Sequence, residues 1–175
     1  MAAGGGCALA LVLVLAVSRG ANRWPVLKPS DFRAAQRLWQ KRGLANYDVR
    51  VRVSGRQPAV YQLQVRNGNV ISATRNGNPL KQRRTMGTWS VPGMFGTIAA
   101  DVANVEKVQQ GKADRNTPQI DLRGRFDPRH GFPLQYQRIE KRKFSSNYEV
   151  LWEVTLQAST QTPNAPANAD SAPSH

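Results

Sequence analysis

The chain has 175 residues, 40% of them apolar and 7% aromatic, enough to pack one core, so wholesale disorder is excluded. Twenty-five Lys and Arg stand against eleven Asp and Glu, a formal net charge of +14. Such a surplus gathers anions at the surface and favours phosphates, acidic lipids or acidic polymers as partners. The one cysteine is Cys7; a chain cut after it holds no thiol, which excludes disulfides, cysteine nucleophiles and zinc–cysteine sites together.

Residues Cys7 to Val17 read CALALVLVLAV and carry no charge. As a helix this run covers about 16 Å, about half a bilayer core, which suits the apolar region of a secretory signal better than a spanning helix. Small residues predict cleavage after Ser18 or Gly20 and an extracytoplasmic product, periplasmic or secreted, with no transmembrane segment left. The alternative is an uncleaved N-terminal membrane anchor, because Arg19 and Arg23 follow the run and no Lys or Arg precedes it. The expected layout is a signal peptide over 1–20, a single α+β domain over 24–157 and a disordered tail over 158–175, where Pro, Ala, Asn, Ser and Thr leave nothing to bury.

Phe32, Ala35, Leu38 and Trp39 recur at helical spacing, so a helix is predicted over 31–42, capped by Ser30 and ended by Gly43 in the left-handed conformation. Tyr47, Val49, Val51 and Val53 then alternate with Asp48, Arg50, Arg52 and Ser54, the period of a half-buried strand. Val60–Arg66 repeats the pattern, Asn67-Gly68 suits a type I′ turn, and Val70–Thr74 returns to Asn76-Gly77. Pro79 to Gly87 is basic and unpatterned and reads as a loop or a short edge piece. A second helix starts at Ser90, with Pro92 in its first turn and Phe95, Ile98, Ala99, Val102 and Val105 on its apolar face. Three more strands follow, over 119–127, 132–140 and 147–157. The fold class is therefore α+β: an antiparallel sheet with two helices packed on one face, in the order α-βββ-α-βββ.

Chemistry-bearing residues are sparse. Asp127 and His130 lie in Phe126-Asp127-Pro128-Arg129-His130-Gly131-Phe132-Pro133, where turn chemistry accounts for nearly every residue and an acid–base or metal pair is the weaker reading. The other histidine is His175, so no multi-histidine metal site is expected, and no cofactor is implied. No GxSxG, Walker or Rossmann pattern occurs. Arg50, Arg52, Arg66, Arg123 and Arg125 fall at outward strand positions. If their strands are neighbours, the open sheet face carries a guanidinium cluster able to hold a polyanion, since Arg pairs with phosphate or carboxylate bidentately; the plain alternative is a solvated face. Export and the lack of outward aromatics disfavour nucleic acid.

Several segments together carry a family resemblance. These are the first helix with Trp39, then Leu44-Ala45-Asn46-Tyr47-Asp48 and Val65-Arg66-Asn67-Gly68-Asn69-Val70. Thr88 to Ile98, Phe126-Asp127 through Gly131-Phe132-Pro133-Leu134, and Glu149 with the last strand complete the set. In this order they resemble a bacterial family of small exported proteins, the domain of unknown function 6174, over about residues 32 to 157. The resemblance implies an envelope or extracellular module and brings no catalytic residue with it. The expected function is a non-catalytic binding or structural domain whose partner is a protein or an acidic polymer of the envelope. Two alternatives are a polyanion-binding module using the Arg face and an inhibitor-like protein that binds an exported enzyme.

Overall fold

A computed structural model describes residues 24–142 and 145–159. The expected signal or anchor lies outside them, as does the expected tail from residue 160 on; Ala158, assigned to that tail, is instead the last residue of the final strand. Among the described residues no helix is long and apolar enough to cross a membrane.

The elements are α1 (Pro29–Arg42), β1 (Tyr47–Gly55), β2 (Ala59–Arg66), β3 (Asn69–Arg75), β4 (Asn78–Pro79), α2 (Arg83–Thr88), α3 (Val91–Gln109), β5 (Ile120–Phe126), β6 (Pro133–Glu140) and β7 (Tyr148–Ala158). The expected order of elements is corrected here. The basic stretch read as a loop or short edge piece does begin at a two-residue edge strand, but it also carries most of a six-residue helix, too short to impose a hydrophobic period on the sequence. The mixed α+β class stands: the strands form one antiparallel seven-stranded sheet in the order β4-β3-β2-β1-β7-β6-β5.

The alternating pattern of β1 buries Tyr47, Val49, Val51 and Val53. Val51 lies opposite Tyr61 of β2 and Val154 of β7, so the last strand inserts beside the first and closes the sheet at its centre. Phe32 and Ala35 of α1 share one buried cluster with these residues and with Val91, Met94, Phe95, Ile98 and Val102 of α3. Burying such side chains is worth about 1.5–3 kcal/mol each, which is what holds the helical layer on the sheet. The Tyr47 hydroxyl accepts the backbone N–H of Val91 at 3.3 Å and thereby fixes the start of α3 over β1; burial pushes its pKa above the ordinary tyrosine value.

Helix starts and stops differ in detail from expectation. Ser90 caps α3 as predicted, accepting from the Gly93 N–H at 3.2 Å. Ser30 is not a cap: α1 begins two residues earlier than predicted, at Pro29, where a missing N–H costs nothing. Gly43 is extended (φ −65°, ψ 153°) rather than left-handed. It is glycine for another reason, since a Cβ there would lie 2.5 Å from the Trp39 carbonyl oxygen and 2.8 Å from the Trp39 ring. The Asn67-Gly68 turn has φ of 51° and 75°, as a type I′ hairpin requires.

The two sheet edges are finished differently. On the β5 side the segment from Trp24 lies alongside through an isolated bridge: Val26 pairs with Arg123, Leu27 N–H donates to Leu122 O at 2.9 Å, and Gly124 N–H donates to Pro25 O at 3.0 Å. On the β3 side β4 pairs only with Thr74 and Arg75, and Leu80 N–H adds a bond to Ala73 O.

Candidate binding face

The face of the sheet away from α1 and α3 is hydrophilic because each strand's even positions project there in β1 and β2 and their neighbours follow in register. Gln62 stands between Thr74 and Arg50, and Arg50 between Gln62 and Thr155. Gln64 likewise stands between Ser72 and Asp48, and Asp48 faces Gln157. These residues and Arg52 line a shallow concavity of about 710 Å³ across β3, β2, β1 and β7. Its lining is mostly guanidinium, carboxamide and hydroxyl, with the Asp48 carboxylate at one end and Val49 and Leu63 in the floor. Thr74 Oγ1, buried within it, has no hydrogen-bond partner among the described residues.

Of the five arginines singled out by sequence, the structure brings Arg50 and Arg52 together. They are exposed, two residues apart on one strand, and neither has an ion-pair partner among the described residues. Arg66 is engaged within the protein: its Nη1 donates to Asp48 Oδ1 at 2.7 Å, Val65 O at 2.8 Å and Tyr47 O at 3.2 Å. Arg123 donates to Trp24 O at 2.9 Å and so pins the segment that closes the β5 edge. Arg125 is exposed but sits on β5, three strands from β1, about 14 Å away. The premise of one continuous five-arginine cluster is therefore corrected: β7 and β6 intervene, and two of the five guanidiniums are engaged with the protein's own oxygens.

The Asp127–His130 segment is the β5–β6 turn. Asp127 Oδ1 accepts the backbone N–H groups of Arg129 (3.0 Å) and His130 (2.6 Å), and Asp127 O accepts from Gly131. His130 Nδ1 lies 3.3 Å from the same carboxylate oxygen. Gly131 has φ of +86° and packs on α1 so closely that a Cβ would meet the Ala35 carbonyl oxygen at 2.3 Å. The turn is thus a clamp between the β5–β6 hairpin and the first helix.

Two features escaped the reading of the sequence. The first is a polar network under α3. The buried Tyr136 hydroxyl donates to Asp101 Oδ2 at 2.6 Å, Arg138 Nε donates to Asp101 Oδ1 at 3.0 Å, and Arg138 Nη1 donates to Glu140 Oε2 at 2.9 Å. Burial, then the neighbouring Asp101 charge, drives the Tyr136 pKa far above the ordinary value, so this phenol stays a donor. Burial alone would lower the Arg138 pKa, but hydrogen bonds to Glu140 and Asp101 outweigh it and hold the guanidinium above its ordinary value. Asp101 falls among Ile98, Ala99 and Val102, so its helical position gives it away only as a polar interruption of an apolar face.

The second is charge segregation. Between Asp48 and Asp101 the chain has no Asp or Glu, while Arg50, Arg52, Arg56, Arg66, Arg75, Lys81, Arg83 and Arg84 supply eight cations. The signal was present in the plain order of residues, hidden by a net charge summed over the whole chain. It places a carboxylate-free stretch over most of β1 and all of β2, β3, β4 and α2. The strands β5, β6 and β7 carry Asp121, Glu140, Glu149 and Glu153 instead.

Among the described residues no group of three or more His, Cys, Asp or Glu is placed to hold a metal ion. No curated protein and no solved structure matches this chain. A family model described as a family of unknown function, DUF6174, matches residues 31–155, from the first turn of α1 nearly to the end of β7. The match spans both helices of the covering layer and all seven strands, so the chain belongs to that family.

Proposed function

We propose that this domain is a non-catalytic binding module that works outside the cytoplasm and holds an anionic partner on the β3–β2–β1 half of its open sheet face. One observation carries the reading: Arg50 and Arg52 stand unpaired over a concavity lined by hydrogen-bonding side chains, within a stretch of chain that has no carboxylate after Asp48. Extended backbone sets their side chains about 7 Å apart on one face. That arrangement meets two successive anionic groups of a polymer, each engaged bidentately. Gln62, Gln64, Thr155 and Gln157 supply donors and acceptors for the groups between the charges. Export rests on the apolar run from Cys7 to Val17, and it turns the choice of anion toward acidic polymers and acidic proteins of the envelope, away from nucleic acid. The acid–base pair that the sequence singles out, Asp127 and His130, serves a turn instead.

The test is a calorimetric titration of the protein with polyphosphate, a polyuronate and neutral dextran at about 50 and 200 mM salt. Two phosphate contacts predict about a tenfold loss of affinity across that range. The R50A/R52A variant is expected to lose polyanion binding while dextran gives no heat with either protein. Equal polyanion affinity in wild type and variant would contradict the reading.

A further inference from the structure

We infer that the open edge of β3, with α2 beside it, takes up an extended polypeptide segment as an added strand, one that alternates apolar residues with carboxylates. This goes beyond the anion face and stands on different residues.

An edge strand offers unpaired N–H and C=O groups, and proteins ordinarily cover or blunt it. The β5 edge is covered by Trp24 to Leu27, whereas β4 covers β3 only from Ala73 to Arg75. The remaining edge, from Asn69 to Ser72, carries neither a charge nor a proline. Gln64 pairs with Ser72 and Val65 with Val70, which leaves Ile71 as the extra residue of a bulge. It is 58% exposed, an apolar side chain turned out where the edge has no pairing strand among the described residues. Beside it lies a groove of about 680 Å³ lined by Asn69, Val70, Ile71, Met86 and Gly87, so the floor is strand and the wall is α2. A strand edge gives main-chain hydrogen bonds and an adjoining apolar groove accepts alternate side chains, the two parts of recognition by strand addition.

The charge around the groove selects the occupant. Arg75 and Lys81 are exposed at the end of β3 and just beyond β4, and no carboxylate occurs from Val49 to Ala100. A second copy of this edge would bring cations against cations, with no acid to answer them. An acidic segment is attracted, and its apolar residues fill the groove over Val70 and Met86.

The probe is a synthetic ten-residue peptide of alternating valine and glutamate, titrated into the isotope-labelled full-length protein and followed by backbone amide shifts. Shifts confined to Asn69–Ala73 and to Met86 and Gly87 are expected. They should vanish with a peptide N-methylated at alternate amides, which keeps its side chains and charge but cannot pair with the edge. The exposed position makes I71K compatible with folding, which its unliganded spectrum verifies, and it should weaken binding at least tenfold. The proposal is overturned if millimolar peptide shifts nothing, or if the N-methylated peptide binds as tightly. Shifts gathered around Arg50 and Arg52 would also overturn it, assigning the peptide to the open face. So would β3 shifts that appear on concentrating the protein alone, which would make a second copy the occupant.

Discussion

The two halves of this sheet use charge in opposite ways. In the half made of β7, β6 and β5, charged groups find each other: Arg138 with Asp101 and Glu140, and Lys141 with Asp121, while Glu149 accepts from the Gln137 carboxamide. Its outer edge is closed by the segment from Trp24. In the half made of β1, β2 and β3, Arg66 pairs with Asp48 and no carboxylate follows, Arg50 and Arg52 make no ion pair among the described residues although Glu153 of β7 lies opposite Arg52 in register, and most of the edge has no pairing strand among those residues. Ion pairs satisfied inside a protein leave little to offer a partner, while unpaired guanidiniums and an unpaired strand edge keep their capacity to bind. In the proposed reading the first half is scaffold, and the second is the surface on which a ligand would be met.

The sharpest way to break this division is to damage the scaffold half. D101A removes the acceptor of both Tyr136 and Arg138, whose side chain is 18% exposed, and leaves the guanidinium beneath α3 with Glu140 alone. A loss of about 3–4 kcal/mol is expected, read as a lower urea midpoint. G131A puts a Cβ against the Ala35 carbonyl oxygen at a φ of +86° and should cost about 2–3 kcal/mol by the same measurement. Y136F removes one donor to Asp101 and should cost about 1 kcal/mol.

Glu140 gives a smaller effect with a definite sign. The Arg138 hydrogen bond, ahead of the opposing effect of burial, holds its carboxyl below the ordinary value. Its contribution is therefore present above the unfolded glutamate pKa of about 4.3 and is lost as pH falls through the lower folded value. Wild type should melt above E140Q at pH 6, with the gap closing as the pH drops below 4. A gap that widens in acid would reverse the assignment.

The binding half should behave in the opposite manner. R50A/R52A is expected to leave stability within about 0.5 kcal/mol of wild type, because both side chains are exposed and free of ion pairs. A large loss of stability would make these residues scaffold too and erase the contrast.

The local structure was legible because periodicity and turn chemistry are local. The alternation from Tyr47 to Val53, the Asn67-Gly68 hairpin and the Ser90 cap all stand as read. What stayed hidden depends on distant residues. Strand order decides whether Arg123 and Arg125 join Arg50 and Arg52, and nothing within β5 announces that β7 will dock on β1. Lone polar residues such as Asp101 and Arg138 reveal their pairing only once the helix lies over β6. Gly43 shows the same limit, since a glycine after a helix suggests a left-handed stop until the Trp39 ring is placed against it. In the Pro79–Gly87 stretch the helix α2 escaped because its six residues are shorter than any repeat that could mark it.

The measurement that bears most directly on the division of the sheet is amide shift mapping of the full-length protein with polyphosphate at about 50 mM salt. The account predicts perturbations at Arg50, Arg52, Gln62, Gln64 and Thr155, abolished in R50A/R52A, with Arg125 and Arg142 on the other half unmoved. Perturbations spread evenly over the exposed arginines of both halves, or centred on β5, would contradict it.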